Sequence, residues 1–203
     1  MSCREPAGRP DVGELAPRAR RSTQPTVPVR AEQARGVSHR QRWVVETLAI
    51  DPDDQVLEIG CGRGTAVFLV ADRLTSGRIV AIDRSATMVR LAAQRNEIHI
   101  SSGRAEIRRA ELESVDFPPG HFTKIFAVNV SLFWLGAATP QMDRLRHLLA
   151  PQGRLYVFGE RPTAANVSAT EQLLATHGFA TTTTIEPAGQ GRVLSCVTGT
   201  LTR

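Results

Sequence analysis

The feature that most limits the fold is an apolar strand that runs straight into a glycine-rich turn. Residues Gln55–Ile59 form a short apolar run, Gly60-Cys61-Gly62-Arg63-Gly64 follows at once, and a helical pattern opens at Thr65. Strand, tight turn and helix in that order begin a βαβ unit, and such units build parallel sheets covered on both faces. In an open α/β sheet, ligands bind beyond the carboxyl ends of the strands. This turn is therefore the first place to look for a site.

The same alternation runs through the rest of the chain. A helix is predicted over 39–49, with Trp43, Val44 and Leu48 on its apolar side, and another from Thr65 to about Leu74. Arg78–Ile82 reads as a strand closed by Asp83, and Ser85 caps a helix reaching Arg95. Strands follow at Ala105–Arg109 and Lys124–Val128. Thr139-Pro140 opens a helix ending near Leu149. Pro151-Gln152-Gly153 is expected to turn the chain into strand Arg154–Gly159, followed by a helix over about 165–176. Thr181–Ile185 and Val193–Gly199 are joined by only Glu186–Arg192, which is too short for a crossover helix, so they must pair antiparallel. The expected architecture is a Rossmann-like, doubly wound α/β domain with a seven-stranded, mostly parallel sheet ending in an antiparallel hairpin.

Residues 1–30 are different. They hold five prolines and no hydrophobic period. Such a segment buries too little apolar surface to offset its ordering entropy, so a disordered tail is expected before a folded domain over 31–203. The formal charge of +5 and pI near 10.0 invite a nucleic-acid reading. Six arginines against three acids in 1–30 carry +3 of that charge, however, and no basic cluster is interleaved with aromatics elsewhere. An electrostatic footprint needs a clustered patch, so a nucleic-acid partner is not expected. No apolar run approaches a membrane span, and no secretory h-region follows the N-terminal arginines. Cys3, Cys61 and Cys196 show neither disulfide framework nor metal-ligand spacing, which points to reduced thiols, a cytoplasmic location and no metal site.

The glycine spacing selects among ligands. A dinucleotide fingerprint needs G-x-G-x-x-G, but the third position falls on Thr65, and the observed pattern is G-x-G-x-G. Glu58, two residues before the first glycine, also opposes a pyrophosphate, which wants helix N-terminal amides and no nearby anion. An acid there suits a cationic ligand. Asp83, nineteen positions after Gly64, can accept from two adjacent hydroxyls at once, or cap the following helix.

Val56-Leu57-Glu58-Ile59-Gly60-Cys61-Gly62-Arg63-Gly64 resembles the first motif of the class I S-adenosylmethionine-dependent methyltransferases, and the likeness extends over about residues 36–200. The resemblance implies S-adenosyl-L-methionine as cofactor, with Glu58, Gly60, Cys61, Gly62 and Gly64 around it. It makes Asp83 the acid that holds both ribose hydroxyls, with Arg84 beside it. Glu111-Leu112-Glu113-Ser114-Val115-Asp116-Phe117-Pro118 is similar to the adenine-binding stretch. Glu111 falls on the acidic position and Leu112 beside the ring, although the family commonly has Asp-Ala there. Glu111 as a solvated loop carboxylate is the alternative. Met88 packs either on the cofactor or in the core. Phe122-Thr123 replaces the family's usual Phe-Asp.

Methyl transfer is an in-line displacement that needs orientation and desolvation, and a base only where the acceptor carries a proton. The resemblance puts the acceptor beside Asn129-Val130-Ser131-Leu132-Phe133-Trp134, with Asn129 facing the methyl group. The Asn/Asp-Pro-Pro-Tyr/Phe pattern of amino methyltransferases is absent. His39, Arg40 and Trp43 on the first helix are candidates to line the site. His39 is the candidate base, against a plain exposed helix start. With no insertion for a substrate domain, the expected acceptor is an O, N or C atom of a small molecule. A protein or nucleic-acid methyltransferase and a non-catalytic binder of the same cofactor are the alternatives.

Overall fold

The computed structural model describes Met1 and residues 37–135, 139–189 and 191–202. The predicted tail over 1–30 lies outside the described residues, Met1 aside. Contacts set Arg35–Arg203 apart as one compact unit.

Seven strands form one sheet: β1 Gln55–Ile59, β2 Arg78–Asp83, β3 Ala105–Arg109, β4 Phe122–Val128, β5 Leu149–Glu160, β6 Phe179–Pro187 and β7 Val193–Leu201. Their order is β3-β2-β1-β4-β5-β7-β6. Strands β1 to β5 pair in parallel, and β7 runs antiparallel to both β5 and β6. The order reverses between β1 and β4, the switch point where such sheets open a crevice.

The helices are α1 His39–Leu48, α2 Thr65–Ala71, α3 Ala86–Arg95, α4 Glu97–Ser101, α5 Thr139–Leu148 and α6 Ala164–Thr176. Alternate side chains of a strand point to opposite faces, and the core divides accordingly. Val56, Ile79, Ala81 and Phe126 pack with Val44, Val45 and Leu48 of α1 and Val67 and Val70 of α2. Leu57, Ile59, Ile125 and Val157 pack on the other face with Met142 and Leu145 of α5 and Leu174 of α6. Trp43 meets Phe158 edge-on, with ring centroids 5.5 Å apart, so it belongs to the packing under α1.

Most predicted elements recur with ends shifted by a few residues, and three differ more. Strand β5 starts five residues early, and the predicted Pro151-Gln152-Gly153 turn is absorbed in it where the register with β4 shifts between Phe122 and Lys124. A proline that cannot donate to the ladder is tolerated at such an irregularity. Helix α2 stops at Ala71 rather than Leu74. Helix α4, absent from the sequence reading, buries His99 against Phe68, with ring centroids 4.8 Å apart and Asp72 Oδ1 3.5 Å from its Nε2.

The amino ends of β1 and β4 are held by a buried ionic cluster. The Lys124 ammonium pairs with Asp54 and with Asp51 at 3.2 Å, and it donates to the Ala49 carbonyl at 2.9 Å. Thr123 donates its hydroxyl to the free side of Asp54 at 2.6 Å. The residue that departs from the family's Phe-Asp pair thus has a structural task far from the carboxyl ends of the strands.

Candidate functional site

Three backbone features shape the turn after β1. The N–H groups of Gly60 and Cys61 both donate to the Ile82 carbonyl, at 2.8 and 3.0 Å, which ties the turn to β2. Gly62 then donates its N–H to Asp83 Oδ2 at 2.9 Å, while Ser85 N–H donates to Asp83 Oδ1 at 2.9 Å. Each oxygen of Asp83 is therefore fixed by one amide and keeps acceptor capacity on its open side. Both Gly62 and Gly64 take positive φ, +53° and +70°. Gly62 has open space where a Cβ would point, whereas at Gly64 a Cβ would lie 2.6 Å from Asn96 Nδ2 and 2.8 Å from Ala92 Cβ.

Two cavities meet at this turn. One, of about 450 Å³, runs between Gly60, Asp83, Arg84, Glu111, Leu112, Asn129 and Val130, with Gln141 of α5 on its rim. The other, of about 350 Å³, lies under α1 between Arg40, Val44, Glu58, Cys61, Gly62 and Asn129. Gly60, Val128 and Asn129 line both, so the two spaces form one cleft across the switch point. Their size is that of a pocket for a small organic ligand.

The electrostatics of the inner end are unusual. Glu58 is 3% exposed, and its Oε2 has no hydrogen-bond partner. Burial, reinforced by the nearby Asp83 charge, holds its carboxyl well above the usual carboxylate range. Burial and the same two carboxylates push the Cys61 thiol up as well, so it is inert rather than nucleophilic. A buried carboxyl of this kind accepts its charge readily only when a cation or donor arrives.

These observations match what known proteins show. A family model described as "Methyltransferase domain" matches residues 56–153. The chain is 32% identical over 121 residues to trans-aconitate 2-methyltransferase of Paracidovorax citrulli, covering 58% of this chain and 44% of that protein. It is 27% identical over 142 residues to the putative methyltransferase YrhH of Bacillus subtilis, covering 68% of this chain and 76% of that one. A crystal structure of a SAM-dependent methyltransferase from Aquifex aeolicus superposes with a TM-score of 0.68 at 14% identity, over 85% of this chain and 97% of that chain. Over residues 56–153 the chain is thus similar to a methyltransferase domain, and its fold is that of S-adenosylmethionine-dependent methyltransferases. It spans less than half the length of the trans-aconitate enzyme that it matches.

Within this cleft, most of the expected site residues converge. Glu58, Gly60, Cys61 and Gly62 line the inner cavity, Gly60, Asp83, Arg84, Glu111 and Leu112 the outer one, and Asn129 both. Three expected residues stand elsewhere. Gly64 faces α3, and its carbonyl accepts from Asn96 Nδ2 at 2.9 Å. Its glycine is required by helix packing. Met88 is half-buried in the first turn of α3, lines neither cavity, and donates its N–H to the Ser85 cap at 3.4 Å. His39 is exposed, with Nε2 3.9 Å from Glu186 Oε1, and lines neither cavity. No group of three or more metal-ligating side chains exists among the described residues, and no described helix is long and apolar enough to cross a membrane.

The neighbour of His39 takes the inward position. Ser38 and Gln41 form a reciprocal capping box that fixes the start of α1. One residue on from His39 means about 100° around the helix, and Arg40 there lines the inner cavity and pairs with Glu160 at the end of β5. The sequence shows a polar His-Arg-Gln-Arg run at this helix start. Which member faces the cleft depends on the docking angle of α1.

Proposed function

We propose that this domain binds S-adenosylmethionine in the cleft and transfers its methyl group to a small organic acceptor. The observation that carries the reading is the pair of acids at the carboxyl ends of adjacent strands, Glu58 on β1 and Asp83 on β2, facing a cleft of the right size. The residues fit the cofactor. Glu58 holds a buried carboxyl oxygen without a partner, which suits an ammonium group. Asp83 keeps acceptor sites open for two ribose hydroxyls. Glu111 and Leu112 line the far end, where Glu111 would meet the adenine amine and Leu112 its ring.

When bound, the cofactor supplies an electrophilic methyl group on a sulfonium that is an excellent leaving group. The chain's own work is placement. Gly62 lets the backbone pass close to the ligand without a Cβ in the way, and Asp83 holds that backbone through its amide. Asn129, with φ +56°, is pinned by two bonds to β5: its N–H donates to the Phe158 carbonyl at 2.9 Å, and its Oδ1 accepts from Glu160 N–H at 2.7 Å. It is thereby held rigidly where the two cavities join. No described histidine lines the cleft, so the reading assigns the chain orientation and desolvation rather than a dedicated base.

The relative that acts on trans-aconitate supports a small acceptor. The free, buried thiols of Cys61 and Cys196 support a cytoplasmic location. Calorimetric titration with S-adenosylmethionine, S-adenosylhomocysteine and NADH, repeated on Asp83→Ala, tests the reading. Binding of the two adenosyl ligands, lost in the variant and absent for NADH, is the expected result. Failure of both adenosyl ligands to bind would overturn it.

A further inference from the structure

The corner where β4, β5 and α1 meet carries an unbalanced positive charge. Glu160, at the end of β5, is contacted by Arg40 from α1 and by Arg192 Nη1 at 3.9 Å. Arg161 follows it. Two guanidinium groups therefore contact one carboxylate, and Arg161 adds a third positive charge to the lining of the same pocket. Arg161 makes no side-chain hydrogen bond or ion pair among the described residues, while its backbone N–H donates to the Val193 carbonyl at 2.8 Å. The Nε atoms of Arg40 and Arg192 are buried without acceptors. His39 and Glu186 face each other nearby, 3.9 Å apart, and Arg42 and Glu46 are the other charged residues of α1.

This corner is also a pocket. A cavity of about 50 Å³, enough for one carboxylate-sized group, is lined by Asn129, Trp134, Glu160, Arg161, Asn166 and Ser195 among others. It shares Asn129 with both cavities of the cleft, and the Arg40–Glu160 pair joins it to the inner one. The backbone marks the same place. Of the three described non-glycine residues with positive φ, Ala49 ends a helix, whereas Asn129 (+56°) and Arg161 (+52°) both line this pocket. A left-handed arginine is strained, and glycine would relieve that strain, so holding an arginine here needs a reason beyond folding.

We infer that this pocket receives a carboxylate of the methyl acceptor, with Arg161 as its specificity-determining residue. The inference rests on the methyltransferase reading and names the substrate class for it. Arg161 donates to the incoming carboxylate directly, and Arg40, which lines the inner cavity instead, offsets the Glu160 charge beside it. Planar guanidinium donors match carboxylate geometry in pairs. Asn129 then lies between the bound carboxylate and the cofactor cleft, so the acceptor's reacting atom is presented to the methyl group while its anionic end is held apart.

The test is calorimetric titration at constant ionic strength of benzoate, succinate and trans-aconitate, with the trimethyl ester of trans-aconitate as neutral control. Each is run with and without saturating S-adenosylhomocysteine, on the parent chain and on Arg161→Gly and Arg161→Lys. At least one carboxylate is expected to bind and the ester not. Arg161→Gly should weaken that binding about tenfold or more, as for loss of a charged hydrogen-bond pair. It should also raise the melting temperature and leave S-adenosylhomocysteine affinity unchanged. Arg161→Lys should fall between the two. A purely structural arginine would not couple higher stability to lost anion binding. Absence of carboxylate binding in every condition, or equal binding by the ester or by Arg161→Gly, overturns the inference. Failure of S-adenosylhomocysteine alone to bind counts against the methyltransferase reading, and the carboxylate titration without it still reports on the pocket.

Discussion

Substituting Gly62 and Gly64 one at a time by alanine separates a residue that serves the cleft from one that serves the fold. Both have positive φ, which costs an L-residue about 1–2 kcal/mol. At Gly62 the new Cβ meets nothing within 4 Å, so that strain is the whole expense to folding, less a few tenths of a kcal/mol from the stiffer unfolded chain. At Gly64 the Cβ lies 2.6 Å from Asn96 Nδ2, 2.8 Å from Ala92 Cβ and 2.9 Å from Ala92 Cα. Overpacking of that kind adds about 1–3 kcal/mol, for a total of about 2–5 kcal/mol. In a chain of this length each kcal/mol moves the melting point by about 2–4 °C. Gly64→Ala should therefore fall several degrees further than Gly62→Ala in a thermal denaturation scan. Binding should run the other way. Gly62 lines the inner cavity and its added methyl group meets no protein atom within 4 Å, so it should weaken S-adenosylmethionine about tenfold or more, about 1.4 kcal/mol. Titration of folded Gly64→Ala well below its melting point should give an affinity within about threefold of the parent, a difference under 1 kcal/mol. Equal loss of affinity in both variants, or parental affinity in Gly62→Ala, would refute the division of labour drawn from the geometry.

Three further outcomes follow from the same geometry. Because burial and Asp83 raise the Glu58 carboxyl, the unfolded chain releases this proton at a lower pH than the folded one. The group therefore withdraws stability as pH rises from its ordinary value of 4.5 through its folded value. A cationic ligand reverses this and expels the proton. Titration of S-adenosylmethionine in buffers of different ionisation enthalpy, at a pH between that ordinary value and the raised folded one, should show proton release that vanishes in Glu58→Gln; identical release in both proteins would exclude Glu58 as its source. Lys124→Met leaves Asp54 buried with only Thr123 and the Asp51 amide as partners. Unfolding in urea should show a loss of about 3 kcal/mol, the lower end for a broken buried pair, with cofactor affinity unchanged. With the Cys61 thiol pushed up by burial and two carboxylates, iodoacetamide at pH 8 should label it only after denaturation, which peptide mass mapping would read.

The sequence by itself determined the sheet, the turn and the cofactor class. Strands bounded by turn signals, and a helix beginning directly after G-x-G-x-G, are local patterns whose periods and spacings survive without tertiary information. Glu58 and Asp83 were legible for the same reason: each lies at the end of a strand, and parallel pairing of β1 with β2 brings strand ends together, with Ile59 opposite Ile82. The division within the glycine turn was not legible. Gly62 and Gly64 share one motif and one sign of φ, and only the approach of α3 shows that the second is demanded by Ala92 and Asn96. Nor could sequence choose between His39 and Arg40. Adjacent helical residues point about 100° apart, and the packing of Val44, Val45 and Leu48 on the sheet sets which of them faces inward. The arginine corner was the least visible of all. Arg40, Glu160 and Arg192 lie as much as 152 positions apart, and they meet because β5 and the last hairpin carry their ends under α1. Local rules place residues along an element, whereas long-range packing decides which elements meet and what their side chains then confront.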